Sequence, residues 1–152
     1  MFKLGKDGNL HMVEGMQAGR EIKFRAWHKQ EKRMIDQVIY LNFEMPNPII
    51  AWYETMGDAL DGTLTDAFLD DVELMQFTAL RDKNDKEIYE GDILTEWYEG
   101  EMYKLSVYYD GGAFMVKQLS SPESDYLLNG CDLEMTEVIG NIYEKPELLQ
   151  SI

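Results

Sequence analysis

Cysteine is nearly absent from this chain of 152 residues. Cys131 stands alone, so no intramolecular disulfide can form, and no Cys or His at zinc-binding spacing accompanies it. A buried or half-buried thiol without a chemical role is the reading that follows. Histidine is scarce too. His11 lies near the N-terminus and His28 beside Lys29, neither with a Ser, Cys or His partner at recognisable spacing, so nucleophilic catalysis has no support. Long apolar runs are missing: the longest, such as Pro48 to Tyr53, fall far short of the ~18 to 20 residues that cross a bilayer. Met1 to Gly15 mixes Lys3, Lys6, Asp7 and Glu14 with three glycines and lacks the continuous apolar core of a secretory signal, so a cytoplasmic location is expected. Basic charge is the other shortage. With 14 Lys and Arg against 29 Asp and Glu, the net charge is −15. Such a field repels phosphate backbones and anionic lipid headgroups, which disfavours direct nucleic-acid binding and membrane attachment.

What is present is enough apolar material to fold. The hydrophobic fraction is 45% and the aromatic fraction 12%, which offsets chain entropy for one domain or two small lobes. Near the N-terminus, Lys6-Asp7-Gly8-Asn9 is a turn signal between Met1 to Leu4 and Leu10 to Val13. A small hairpin, a floppy leader and an added extension all fit residues 1–19, and Met16 is an equally good start.

Glu21 to Trp27 alternates, with Ile22, Phe24 and Ala26 on one face and Glu21, Lys23, Arg25 and Trp27 on a wet one. Met34-Ile35 and Val38 to Phe43 supply a β-rich run that reads as its antiparallel partner. Met45-Pro46-Asn47-Pro48 interrupts, because proline cannot donate to a ladder. Ile49 to Tyr53 then resumes. Leu60, Leu64 and Phe68 recur every four residues, but Asp61-Gly62 weakens a helix there, so a loop with a helical turn is predicted.

From Val72 the reading is all-β. Strands are predicted at Val72 to Thr78, Glu87 to Leu94, Tyr103 to Tyr109, Ala113 to Val116 and Val138 to Tyr143. Turns fall at Asp82 to Lys86, Glu99 to Glu101 and Asp110 to Gly112, and a helical turn opens at Pro146. Short strands at roughly 8 to 12 residue spacing indicate a small barrel or sandwich. In the turn, Asp82-Lys83-Asn84-Asp85 tolerates left-handed backbone and can bond neighbouring amides. In Glu90-Gly91-Asp92, Gly91 permits positive φ while Asp92 bonds a nearby amide. Tyr89 and Asp92 are therefore read as turn chemistry in preference to a ligand rim.

Arg20 to Trp27, Val72 to Ile93 and Val138 to Leu149 together resemble the start, centre and end blocks of the YopX family, over about residues 20 to 150. The resemblance implies a phage or prophage protein without an established activity, an N-terminal α+β part (residues 20–71), an SH3-like β-barrel (residues 72–152) and self-association. It implies no catalytic residues. Two positions depart from the family pattern: Ala79 and Asp85 stand where a glycine is usual.

No catalytic, cofactor or metal site is read. Asp58, Asp61, Asp66, Asp70, Asp71 and Glu73 are oxygen-rich but do not reproduce a twelve-residue calcium loop, and a solvated loop is the simpler account. Gly111-Gly112 is a hairpin turn, too short to cradle phosphate. The densest signal is aromatic: Trp97, Tyr98, Tyr103, Tyr108 and Tyr109, with Phe114 beside them. Alternation puts Tyr108 opposite Tyr103 and Tyr109, so some rings face water unless a partner covers them. Flanking Glu96, Glu99 and Glu101 suit a protein with basic side chains. The expectation is a non-catalytic accessory protein that self-associates and binds a host or phage protein through these rings. The alternative is an acidic nucleic-acid mimic, since residues 77–152 hold sixteen acidic against six basic groups. A metal-dependent enzyme acting on nucleotides comes a distant third.

Overall fold

Period-two alternation dominates the sequence, and strands dominate the structure. The computed structural model describes residues 2–4, 6, 10–12, 20–44, 46–121 and 124–150. Of the described residues half are strand and 15% helical, a mostly-β protein. At the N-terminus β1 (Phe2–Leu4) and β2 (Leu10–Met12) pair antiparallel, with Lys3 opposite His11, as a small hairpin would. The turn residues 7–9, and 13–19 with Met16 among them, lie outside the described residues.

The next strands, β3 (Phe24–His28), β4 (Arg33–Ile35), β5 (Tyr40–Asn42) and β6 (Ile49–Trp52), divide between two sheets. Only β4 is the partner of β3; β5 pairs with β6 instead, which corrects the expectation for Val38 to Phe43. The helix α1 (Met56–Asp61) begins at Thr55, whose Oγ1 accepts the Asp58 amide at 3.0 Å, and stops where Gly62 takes a left-handed cap with φ of 81°. Leu60, Leu64 and Phe68 do not share one helix face. Leu60 is 83% exposed, and Phe68 belongs to a strand, β7 (Thr65–Phe68), which pairs with β6. Proximity of β6 as a template outweighed the four-residue spacing.

A ten-residue strand, β8 (Val72–Arg81), follows. Its first half pairs with β3 and its second with β9 (Glu87–Tyr89). The register shifts between Phe77 and Arg81, where Ala79 adopts φ of 67°. The β8–β9 turn closes with the Asp85 amide on the Asp82 carbonyl (3.0 Å) and the Asp82 amide on the Lys86 carbonyl (2.9 Å), Asp85 itself lying at φ of 63°. That is the three-residue hairpin loop in which a tight turn is followed by a left-handed residue, a place glycine favours. Both positions that depart from the family's glycines are thus left-handed.

Gly91, with φ of 84°, turns the chain into β10 (Asp92–Tyr98). There follow β11 (Glu101–Asp110), β12 (Ala113–Gln118), β13 (Asp125–Leu127) and β14 (Thr136–Asn141), in the order β13-β12-β11-β10-β14. This sheet curls into a half-barrel. Its core is Ile88, Leu94, Leu105, Val107, Val116, Leu128, Cys131 and Val138. A second core, Ala26, Ile35, Ile50, Trp52 and Val72, joins the two N-terminal sheets.

Polar bonds tie the sheets together. Asp82 Oδ1 accepts the amides of Asn84 and Lys86, and its Oδ2 accepts that of Val138 in β14, all at 2.9 Å. Burial alone would push this carboxyl up, but the three amides outweigh it and hold it below the ordinary carboxylate range. Arg25 meets Asp92 at 2.6 Å, and Lys23 meets Glu87 at 2.7 Å. The face of β3 expected to be wet is therefore covered: Arg25 is largely buried there and Trp27 stacks on Tyr143, with ring centroids 5.8 Å apart. The single cysteine is free and buried.

Candidate partner-binding cleft

Strand alternation sorts the five expected aromatics onto two faces of the half-barrel. In β10, Leu94 lies opposite Leu105 of the core, and two residues on Glu96 lies opposite Tyr103. Leu94, Glu96 and Tyr98 therefore point inward with Tyr103, while Trp97 and its cross-strand neighbour Met102 point outward. Tyr126 of β13 lies opposite Val116 and joins the inward set.

At this end of the sheet the inner face opens into a cleft of about 550 Å³, lined by Glu96, Tyr98, Tyr103, Gln118, Tyr126 and Asp132 among others. Among the described residues, no Lys or Arg lines it. Glu96 is buried and locked in place: Oε1 accepts the Tyr126 hydroxyl at 3.2 Å and Oε2 accepts the Asp132 amide at 3.0 Å. Asp132 in turn caps the short 3-10 turn Leu133–Met135, its Oδ1 accepting the Glu134 amide. Burial, reinforced by the charge of Glu96, pushes the Cys131 thiol up to about 12, and burial foremost raises the Tyr126 hydroxyl. Neither group carries a nucleophilic anion at neutral pH. The cleft offers ring faces and carboxylates.

Of the five expected residues, the structure brings Tyr98 and Tyr103 together here. Tyr98 is 56% exposed; Tyr103 donates its hydroxyl to Glu101 at 2.8 Å. Trp97, 45% exposed, lies on the opposite face. Tyr108 also faces outward and donates to Asp125, whose carboxylate raises its hydroxyl to about 12. Tyr109 shares the inner face but sits six residues along β11, roughly 20 Å from Tyr103 at ~3.4 Å per residue, edge-on to Phe114. Tyr126 and Asp132 were missed. They follow a polar stretch, Leu119 to Ser124, with no clean period, and the short Asp125-Tyr126-Leu127 alternation was the one available signal.

Elsewhere the candidates resolve into structure. Asp92 is 1% exposed; its Oδ2 accepts the Tyr89 amide at 2.8 Å, so Tyr89 and Asp92 build the junction between sheets. His28 accepts the Glu31 amide in a turn. No group of three or more His, Cys, Asp or Glu among the described residues is placed to hold a metal ion. No described helix is long and apolar enough to cross a membrane.

Comparisons with known proteins agree with this architecture. The family model described as YopX protein matches residues 23–150. Protein EF1440 from Enterococcus faecalis is 28% identical; the match covers 87% of this chain and 100% of that one, with a TM-score of 0.59. Protein yopX from Bacillus subtilis is 18% identical over 86% of this chain and 97% of its own, with a TM-score of 0.56, a likeness of fold. No curated protein matches.

Proposed function

The chain belongs to the YopX protein family, and from that premise we propose that it is a non-catalytic accessory protein of a phage or prophage, a self-associating, protein-binding module of the cytoplasm. In this proposal residues 20–71 form an α+β part and residues 72–152 an SH3-like barrel that carries the binding surface. One observation supports it above the rest: Tyr98 and Tyr103 converge with Tyr126 on a cleft that the other described residues leave open. Large rings at a concave, partly desolvated site are the residue types that anchor protein interfaces. On the outer face Trp97 and Met102, both exposed and directly opposite, offer a second apolar patch for self-association.

The test is affinity capture from infected host cells with the wild-type chain and with Tyr98→Ser/Tyr103→Ser, with sedimentation velocity on both. The proposal expects a protein retained by the wild type and lost by the variant, and a species heavier than a monomer that Trp97→Ser dissociates. A strict monomer whose captured set is identical for both chains would count decisively against it.

The acidic-mimic reading rests on the net −10 of residues 77–152. It is less well supported because many of those carboxylates already serve the fold. Asp82, Asp92 and Glu96 are buried, Glu87 and Glu137 pair with Lys23 and Lys83, and Glu101 and Asp125 accept tyrosine hydroxyls. A mimic needs free carboxylates in a stripe at phosphate-like spacing.

A further inference from the structure

Resting on the reading of the cleft as a protein-binding site, we infer that it seats a cationic side chain, an arginine on a basic segment of the partner. The argument is internal to the molecule. Among the described residues four cation–ring contacts occur, and in each the cation also meets a carboxylate. Arg25 lies 4.7 Å from the Tyr89 ring and pairs with Asp92. Lys23 and Arg81 lie 5.6 and 5.8 Å from the Phe77 ring and both pair with Glu87. Arg33 lies 5.8 Å from the Trp52 ring and pairs with Glu54. In each of these four places a ring, a carboxylate and a cation meet.

The cleft has the same two ingredients, Tyr98, Tyr103 and Tyr126 with Glu96 and Asp132, and among the described residues no cation lines it. A ring face and an anion both attract a positive group, and the attraction grows as water is excluded. Arginine fits better than lysine because its planar guanidinium stacks on a tyrosine while forking to a carboxylate. The opening is large enough for that side chain and the peptide flanking it. The net charge of −15 draws a basic segment in and repels an acidic one.

The experiment titrates the full chain with a capped alanine pentapeptide carrying two arginines, and with the same peptide carrying citrulline, its neutral isostere, following backbone amide shifts. The expected result is saturable shifts at residues 96–98, 103 and 126–132, with the arginine peptide binding at least roughly tenfold more tightly than the citrulline one. Tyr98→Leu weakens the arginine peptide by roughly tenfold. Asp132→Asn, which keeps an acceptor for the Glu134 amide and so the fold, weakens it by roughly threefold. Equal affinity for both peptides, or shifts confined to another face, overturns the inference. Equal binding within the cleft leaves the protein-binding reading standing. That reading falls separately, if the tyrosine variants change nothing that is captured from cells.

Discussion

Ala79→Gly stabilises this protein. Ala79 and Asp85 hold φ of 67° and 63°, where an L-residue crowds its Cβ against backbone at a cost of roughly 1–2 kcal/mol. Neither side chain is buried, so truncation forfeits no core contact. Glycine returns roughly 0.5–1 kcal/mol of that gain through the entropy of the unfolded chain. The net for Ala79→Gly is about 0.5–1 kcal/mol of added stability. Asp85→Gly gains less, because aspartate tolerates the left-handed region through local hydrogen bonds. The two sites share no hydrogen-bond partner, so the double variant should sum them. Urea unfolding followed by tryptophan fluorescence would show the midpoint rising at unchanged slope. Thermal unfolding should rise by about 2–4 °C per kcal/mol. A midpoint for Ala79→Gly that stays put or falls refutes the reasoning, because the backbone there could not then be strained.

Asp82→Ala strips three amides of their acceptor and should cost at least about 3 kcal/mol in urea unfolding. Its carboxyl lies below the ordinary 3.8 in the folded state. Its contribution is therefore complete above that value and lost as pH falls through the depressed one; an acid titration of stability should show this loss, and Asp82→Asn should flatten it. Arg25→Met removes the cation that offsets the burial of Asp92, at about 3–5 kcal/mol; a loss under about 1 kcal/mol would show the pair to be dispensable. With its thiol raised to about 12 and buried, Cys131 should resist iodoacetamide at pH 8 until the chain is unfolded, and rapid native-state alkylation, read by intact mass, would contradict the packing around Glu96.

The turn chemistry was the most legible part of the sequence. Asp82 to Lys86, Gly91 and Asp110 to Gly112 act through residues within a few positions of one another, so local composition suffices. Strand faces were readable where one side is wet, as in Tyr103 to Tyr109. Pairing was not: nothing in Val38 to Phe43 says that Ile49 to Trp52 outcompetes β3 as its neighbour, since that choice is made by the shared core around Ile50. Alternation also cannot see a second layer, which is why Arg25 passed for a surface residue. In the cleft, Tyr98 and Tyr103 were found because they are dense in sequence, whereas Tyr126 and Asp132 arrive from about thirty residues downstream.

The shared strand β8 has a consequence for how this protein can be inherited. Its first half is stitched to β3 and its second to β9, so a gene fragment cut at residue 71 would expose one hydrogen-bonding edge of a long strand and bare Met75 and Val72 to water. Such a fragment would invite aggregation before it offered any selectable benefit. A chimera of two relatives that takes residues 24–89 from one parent keeps this spine intact, whereas a crossover at α1 joins a β3 and a β8 of different origin and should fold less well.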